Sequence, residues 1–269
     1  MELKQTVLCY FSPTGGTYKN AKAVAGGAGL PVIEKRTTLP ADRGEAFEIP
    51  EGSFVILAAP VFGGRAPKLF TEYIKTLRGR GCPALLCAVY GGRHYDMAFV
   101  DLYEAANAAG HVPFGCAALL AEHSFDRRIQ TGRPTGKDLA EAEKIGALVV
   151  DRLKAVDVPA AMPEERIPAR SVDLQAIGMH GEKLGGLSPN RPFPGPSCSR
   201  CGLCADVCPL GLIERGNPDR ILEKCFKCGA CVKLCPQKAM HFPQPDYEVV
   251  VQDCLEHFGK SNRSAESRL

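Results

Sequence analysis

Two cysteine runs constrain this chain more than any other feature. Cys198-x-x-Cys201-x-x-Cys204-x-x-x-Cys208-Pro209 is followed by Cys225-x-x-Cys228-x-x-Cys231-x-x-x-Cys235-Pro236. A 4Fe-4S cluster needs four thiolates converging on one cube, and two-residue spacers let a tight loop supply three while the fourth arrives from elsewhere. Two copies in so short a span amount to an internal duplication of a cluster-binding half. The prolines after Cys208 and Cys235 lack an N–H and bias the chain away from helix, which suits a sharp exit from a cluster loop. Structural zinc is the weaker alternative: zinc sites favour two separated pairs and commonly recruit histidine, and none lies between Cys198 and Cys235. A disulfide scaffold is weaker too, since such domains are small and secreted. This chain has 269 residues and opens Met1-Glu2-Leu3-Lys4, which does not read as a signal peptide.

That length predicts two domains. The first half is long enough to bury a core of its own, whereas the cysteine-rich part is too small to fold without its clusters. Of the 13 cysteines, Cys9, Cys82, Cys87, Cys116 and Cys254 stand outside the runs. Cys9, Cys87 and Cys116 lie in apolar, strand-like stretches and read as small buried hydrophobes. Cys82, in a loop, and Cys254, near the end, take no assigned role. With 33 basic and 30 acidic residues the formal charge is +3, and no basic run marks a nucleic-acid footprint. Each oxidised cubane with four thiolates carries about −2, so the loaded protein is expected to be net acidic. No apolar run approaches membrane-spanning length. The expectation is a soluble, cytoplasmic protein of a reducing, anaerobic setting, with redox proteins as partners and neither nucleic acid nor membrane insertion.

The start of the chain carries the second signal. Thr6-Val7-Leu8-Cys9-Tyr10-Phe11 is rich in strand formers and runs into Ser12-Pro13-Thr14-Gly15-Gly16-Thr17, then a helical pattern through Ala25. Strand, glycine-bearing hydroxyl loop and helix form an anion-binding arrangement, because the helix N-terminus offers unpaired N–H groups and Ser12, Thr14 and Thr17 add hydroxyls. No lysine follows Gly16 as a Walker loop requires, and G-x-G-x-x-G is absent, which argues against ATP and dinucleotides. Gly26-Gly27-Ala28-Gly29 falls after the helical pattern and reads as its stop. Phe54 to Ala59 and Ala84 to Tyr90 read as buried parallel strands, each followed by a glycine-rich loop, Pro60-Val61-Phe62-Gly63-Gly64-Arg65 and Gly91-Gly92-Arg93-His94-Tyr95-Asp96. Such loops lie at the carboxyl ends of strands, where open α/β sheets bind ligands. A helix to about Ala109, a strand at Phe114 to Leu120 and a helix over Asp138 to Leu153 follow. The last has Leu139, Ala142, Gly146, Val149 and Leu153 on one face. From about Val156 the periodicity fails and prolines recur at 159, 163, 168, 189, 192, 194 and 196, which predicts a linker draped over one domain, with a short helix near Val172 to Met179. His241 to Val251 is expected to add a strand or pack across the cluster domain, and Lys260 to Leu269 to fray.

The cysteine stretch closely resembles bacterial two-cluster ferredoxins, in which the fourth cysteine of each run ligates the other cluster. The resemblance implies one cluster on Cys198, Cys201, Cys204 and Cys235 and a second on Cys225, Cys228, Cys231 and Cys208. The first loop resembles the phosphate loop of flavodoxins, with Ser12, Thr14, Gly15, Gly16 and Thr17. Pro60, Val61, Phe62 and Gly63 resemble that family's first ring loop, and Tyr90, Gly91, Gly92 and Tyr95 its second, which implies FMN with Phe62 and Tyr95 on the ring faces. Arg93 and His94 depart from the acidic or hydroxyl residues common there. The whole chain resembles fusions of an N-terminal flavodoxin-like domain to a C-terminal two-cluster ferredoxin, a type labelled the EFR1-family ferredoxin. This implies a flavodoxin-like five-stranded parallel sheet of order 2-1-3-4-5 over residues 1–155, a linker at 156–196, a small α+β ferredoxin-type domain at 197–252 and a tail at 253–269. The function implied is electron transfer between a low-potential one-electron donor and a redox partner. Two alternatives stand beside it: a flavin-dependent reductase with a substrate site over the FMN, in which His94 donates a proton, and a ferredoxin whose flavodoxin fold is a flavin-free docking module.

Overall fold

The structure is a computed structural model and describes residues 1–79, 81–169, 191–221, 225–243, 245–259 and 263–269. Strands β1 (Gln5–Tyr10), β2 (Val32–Arg36), β3 (Ser53–Pro60), β4 (Pro83–Tyr90) and β5 (Val112–Leu120) form a parallel sheet of order β2-β1-β3-β4-β5. This is the flavodoxin order expected from the alternation of strands and helices. β3 and β4 are buried along their whole length, which is why they read as unbroken apolar runs. β2 is legible to no such reading: an edge strand of alternating exposed and half-buried residues, it carries Glu34, Lys35 and Arg36.

Helices α1 (Gly16–Gly27) and α4 (Gly136–Lys154) cover one face of the sheet, and α2 (Lys68–Ile74) and α3 (Ala98–Ala108) the other. Alternation along the strands feeds two cores. Val7, Cys9, Val55 and Leu57 meet α2 and α3, while Leu8, Tyr10, Ile56 and Cys87 meet α1 and α4. Cys9, Cys87 and Cys116 are core residues as expected, and burial pushes the Cys9 thiol up to about 12. Cys82 and Cys254 are buried as well. α4 opens on a capping box, Thr135 Oγ1 accepting from the Asp138 N–H at 3.3 Å and Asp138 Oδ2 accepting from the Thr135 N–H at 2.7 Å. The helix stop after α1 is Gly29, at φ +66°. Gly27 is something else: a Cβ there would lie 1.9 Å from the Glu143 carbonyl oxygen of α4, and one at Gly146 would lie 1.9 Å from that of Val24. The two helices cross backbone to backbone at these glycines.

The chain returns to this sheet at its end. Strand β8 (Glu266–Arg268) pairs antiparallel with β5, Ala118 opposite Glu266 and Cys116 opposite Arg268, so the segment expected to fray closes the sheet edge. The exposed β5 ladder supplies the hydrogen bonds, and three solvent-facing polar residues leave no periodicity to read. The described start of the stretch read as a linker packs on the first domain: Met162 is buried, its N–H donating to Pro113 O at 2.7 Å and its carbonyl accepting from Tyr103 Oη at 3.0 Å. The helix expected near Val172 to Met179 lies outside the described residues.

The cysteine-rich unit begins inside the stretch assigned to the linker, because strand β6 (Phe193–Pro194) pairs with β7 (Met240–His241). Its duplication is visible in the backbone. Left-handed φ values recur twenty-seven residues apart at Arg200 and Lys227, Gly202 and Gly229, and Gly211 and Lys238. The one-turn helices Leu203–Asp206 and Ala230–Lys233 obey the same offset. The helix Pro245–Phe258 then crosses the boundary expected at 252 and packs on the first domain, where Val250, Val251, Cys254 and Phe258 bury Phe125 and Ile129. Tyr247 Oη donates to Phe125 O at 3.0 Å, and Arg128 pairs with Glu248 at 2.8 Å.

Candidate functional site

The eight cysteines sort into two cavities. Cys198, Cys201, Cys204 and Cys235 line one, and Cys208, Cys225, Cys228 and Cys231 the other, so each run sends its fourth cysteine to its partner's cavity. Tight loops explain the sorting: Gly202 at φ +84° and Gly229 at φ +73° turn the chain between the second and third cysteines of each run. Apolar side chains close the second cavity, among them Leu212, Ile213 and Ile221. Backbone N–H groups point at sulfur, from Leu212 to Cys208 Sγ at 3.4 Å, from Ala239 to Cys235 Sγ at 3.3 Å and from Lys227 to Cys225 Sγ at 3.2 Å. The first two are related by the duplication, and such bonds favour thiolate over thiol. Burial works the other way on Cys228, pushing its thiol up to about 12. An iron–sulfur cluster held by these thiolates would supply the positive charge that offsets such burial. Sets of four thiols with N–H donors around them fit 4Fe-4S clusters in their donor chemistry.

Residues 197–240 match the protein-family model described as a 4Fe-4S dicluster domain. A comparison with curated proteins finds no match. Among solved structures the chain is similar to a flavodoxin from the domain Archaea, at 17% identity over 56% of this chain and 99% of that one, with a TM-score of 0.38. A Streptococcus pneumoniae TIGR4 flavodoxin aligns at 18% identity over 55% of this chain and 99% of that one, with a TM-score of 0.38. The Flv1 flavodiiron core from Synechocystis sp. PCC6803 aligns at 20% identity over 57% of this chain, with a TM-score of 0.41, and only 37% of that core is covered. The chain thus joins a flavodoxin-like sheet, identified by its strand order, to a dicluster region. Among the described residues no helix is long and apolar enough to cross a membrane.

The dicluster region sits on the loops at the carboxyl ends of the strands. Phe226, between Cys225 and Lys227, packs its ring 5.7 Å from Phe62 and 6.3 Å from Phe11, centroid to centroid. Gly229 rests on the Ser124 carbonyl, and Arg43 Nη2 donates to Pro209 O at 2.8 Å. Lys233 pairs with Glu122 at 2.6 Å and donates to His123 O at 2.9 Å, in a site where its side chain keeps 10% of its exposure. Burial lowers the Lys233 ammonium's pKa, with the Glu122 carboxylate opposing. Removing one partner of such a pair leaves the other without its counter-charge, so Lys233→Met is expected to cost about 2 kcal/mol in denaturant unfolding. Glu122→Gln added to it is expected to cost less than the sum of the two single changes, a coupling that a double-mutant cycle measures.

The loop residues divide. In the first, Ser12 Oγ accepts from the Tyr18 N–H at 2.9 Å and Gly15 holds φ +84°, while the N–H groups of Gly15, Gly16 and Thr17 have no partner among the described residues. Thr14 is half-buried and Thr17 buried. Open N–H groups beside a hydroxyl fit a phosphate. In the second loop Gly63 and Gly64 take φ +57° and +78°, turning the chain so that Phe62 and Arg65 pair with each other, and Val61 donates to Val89 O at 2.9 Å behind Pro60. Arg65 forks onto Asp101 of α3 rather than reaching toward a ligand. The third loop corrects the sequence reading. Tyr95 is buried with Tyr90, its ring 5.0 Å from Phe99 under α3, so it presents no face on the loop surface. A Cβ on Gly91 would strike His123 at 2.2 Å and one on Gly92 would strike Gln130 at 2.7 Å, so these glycines admit the 122–130 loop. From sequence that loop reads only as a polar connection between Glu122 and Pro134, and it is the fold that brings it against these glycines. Arg93 pairs with Asp96, and His94 Nδ1 accepts from the Asp96 N–H at 2.8 Å, which removes one nitrogen from any proton-donor role.

Proposed function

We propose that this chain is an electron-transfer protein with two 4Fe-4S clusters, one on Cys198, Cys201, Cys204 and Cys235 and one on Cys208, Cys225, Cys228 and Cys231. FMN would lie across the Ser12–Thr17 loop and the loops after β3 and β4. Electrons would pass between a low-potential one-electron donor and a redox partner. The observation that carries this reading is the sorting of eight thiols into two sets of four. Clusters exchange one electron at a time and a flavin one or two, so the combination converts between the two kinds of chemistry. The chain's own part is to exclude water with Leu212, Ile213 and Phe242, to donate N–H bonds to sulfur, and to hold the second cysteine set against the 61–65 and 122–126 segments.

Phe226 on Phe62, together with the burial of Tyr95, favours a second reading in which the flavodoxin fold is a docking platform with no flavin. Absorption spectra and iron and flavin analysis of anaerobically purified protein decide between them: both readings require cluster bands, and only the first requires FMN. If the Ser12–Thr17 loop holds the phosphate, Thr14→Ala removes a charge-assisted hydrogen bond of about 1.5 to 3 kcal/mol, roughly ten- to a hundredfold in FMN affinity. Riboflavin, which lacks the phosphate, is expected to bind both forms alike. Equal weakening of the two ligands in a fluorescence titration places the phosphate elsewhere.

A further inference from the structure

Each cysteine lining the second cavity lies within two residues of a contact with the N-terminal domain. Beside Cys208, the Pro209 carbonyl takes the Arg43 guanidinium. Beside Cys225, Phe226 packs on Phe62 and Phe11. Beside Cys228, Gly229 is so close to the Ser124 carbonyl oxygen that a Cβ would lie 2.1 Å from it. Two residues after Cys231, Lys233 meets Glu122. The first set is placed differently. Cys201 is exposed, Arg200 bonds to Gly216 O and Asp219, and Gly202 packs on Arg215, all within the dicluster region. Among the described residues its contacts across the domains gather at Lys233 alone, two residues before Cys235 and shared with the second set, where the carbonyl takes Arg127 and the ammonium meets Glu122 and His123 O.

We infer that the two cysteine sets have different roles: Cys208, Cys225, Cys228 and Cys231 form an inner site whose ligation holds the domains together, and Cys198, Cys201, Cys204 and Cys235 an outer site that faces solvent. The inference rests on the cluster reading of these cysteines. Its physical basis is the 225–229 loop, which carries Lys227 at φ +59° and Gly229 at φ +73° between ligands. A left-handed lysine is held against its own preference, and pinning Cys225 and Cys228 to one cluster fixes the loop on both sides of Phe226. Released from the cluster, the loop regains its freedom and Phe226, Gly229 and Lys233 lose their seats. The outer loop has no such seat to lose.

The test is hydrogen exchange by mass spectrometry on the full chain while an iron chelator strips the protein anaerobically. Iron is expected to leave in two steps. The first leaves exchange at residues 61–66 and 122–126 unchanged, and the second speeds it by about tenfold or more. Loss in one step, or opening of those segments at the first, overturns the inference. Variants give the same answer independently: Cys228→Ala is expected to open the segments and Cys201→Ala to leave them protected, each with about half the iron. Full iron in Cys228→Ala sinks the cluster reading itself at that residue; lost iron with the segments still protected sinks only the inner-site role. Phe226→Ala keeps all eight thiols, and is expected to speed exchange at 61–66 with iron unchanged. Unchanged exchange in that variant removes Phe226 from the docking contact.

Discussion

Cys208→Ser is expected to empty the site formed with Cys225, Cys228 and Cys231 while the site of Cys198, Cys201, Cys204 and Cys235 stays loaded. Cys208 is the last cysteine of the first run, but its side chain lines the second cavity. Iron per chain is expected to fall from about eight to about four, since a cubane short of one thiolate in an apolar cavity loses its anchor. The loss reaches beyond iron, because ligand binding and folding are one free energy in a region this small. Leu212, Ile213 and Ile221 pack around the second cavity, and their burial depends on it. The variant is therefore expected to melt its dicluster region at lower denaturant than Cys198→Ser, the corresponding change in the first set. Iron analysis with electron paramagnetic resonance of the reduced protein separates the sites. Selective loss of the cluster at Cys198, Cys201 and Cys204 would refute the crossed assignment.

The second large effect is expected from one methyl group. Gly146→Ala places a Cβ 1.9 Å from the Val24 carbonyl oxygen, and neither side can move it away, since both contacts are backbone of long helices. Overpacking of this kind costs about 1 to 3 kcal/mol and more when nothing yields. Alanine's better helix propensity recovers at most about 1 kcal/mol. A net loss of about 2 kcal/mol lowers the N-terminal domain's Tm by roughly 4 to 8 °C. Gly26→Ala and Gly136→Ala are the controls, because a Cβ at either position meets nothing within 4 Å. Both are expected to be neutral or slightly stabilising by calorimetry. A Gly146→Ala protein that melts with them means α1 and α4 do not cross as closely as described.

Much of this molecule is written in local sequence. The 53–60 and 83–90 strands are apolar without interruption because both faces are covered, and burial of that kind leaves a mark on every residue. The cysteine runs are local as well, since the spacing that lets a loop wrap a cube is a property of a dozen consecutive residues. The duplication is local too, since the cysteines repeat twenty-seven residues apart, and the left-handed positions of the backbone keep the same interval. Loop position at strand ends was legible through the order of elements.

What tertiary structure decided concerns residues whose partners are far away in the chain. Gly27 sits in a glycine cluster that reads as a helix stop, yet it is kept small by Glu143 of another helix. Gly91 and Tyr95 read as loop residues free to meet a ligand. The 122–130 loop packs against the one and α3 buries the other, and no local pattern carries the approach of a second segment. Glu266 to Arg268 has no apolar face, so only the open ladder of β5 makes it a strand. Phe226 is the plainest case: from sequence it is a spacer between two cysteines, and in the fold it is the side chain by which the second cysteine loop rests on Phe11 and Phe62. The sequence by itself determined the chemistry of each part, because that depends on residue type and short spacing. How the parts meet depends on shape complementarity between segments more than a hundred residues apart, and that exists only once both have folded.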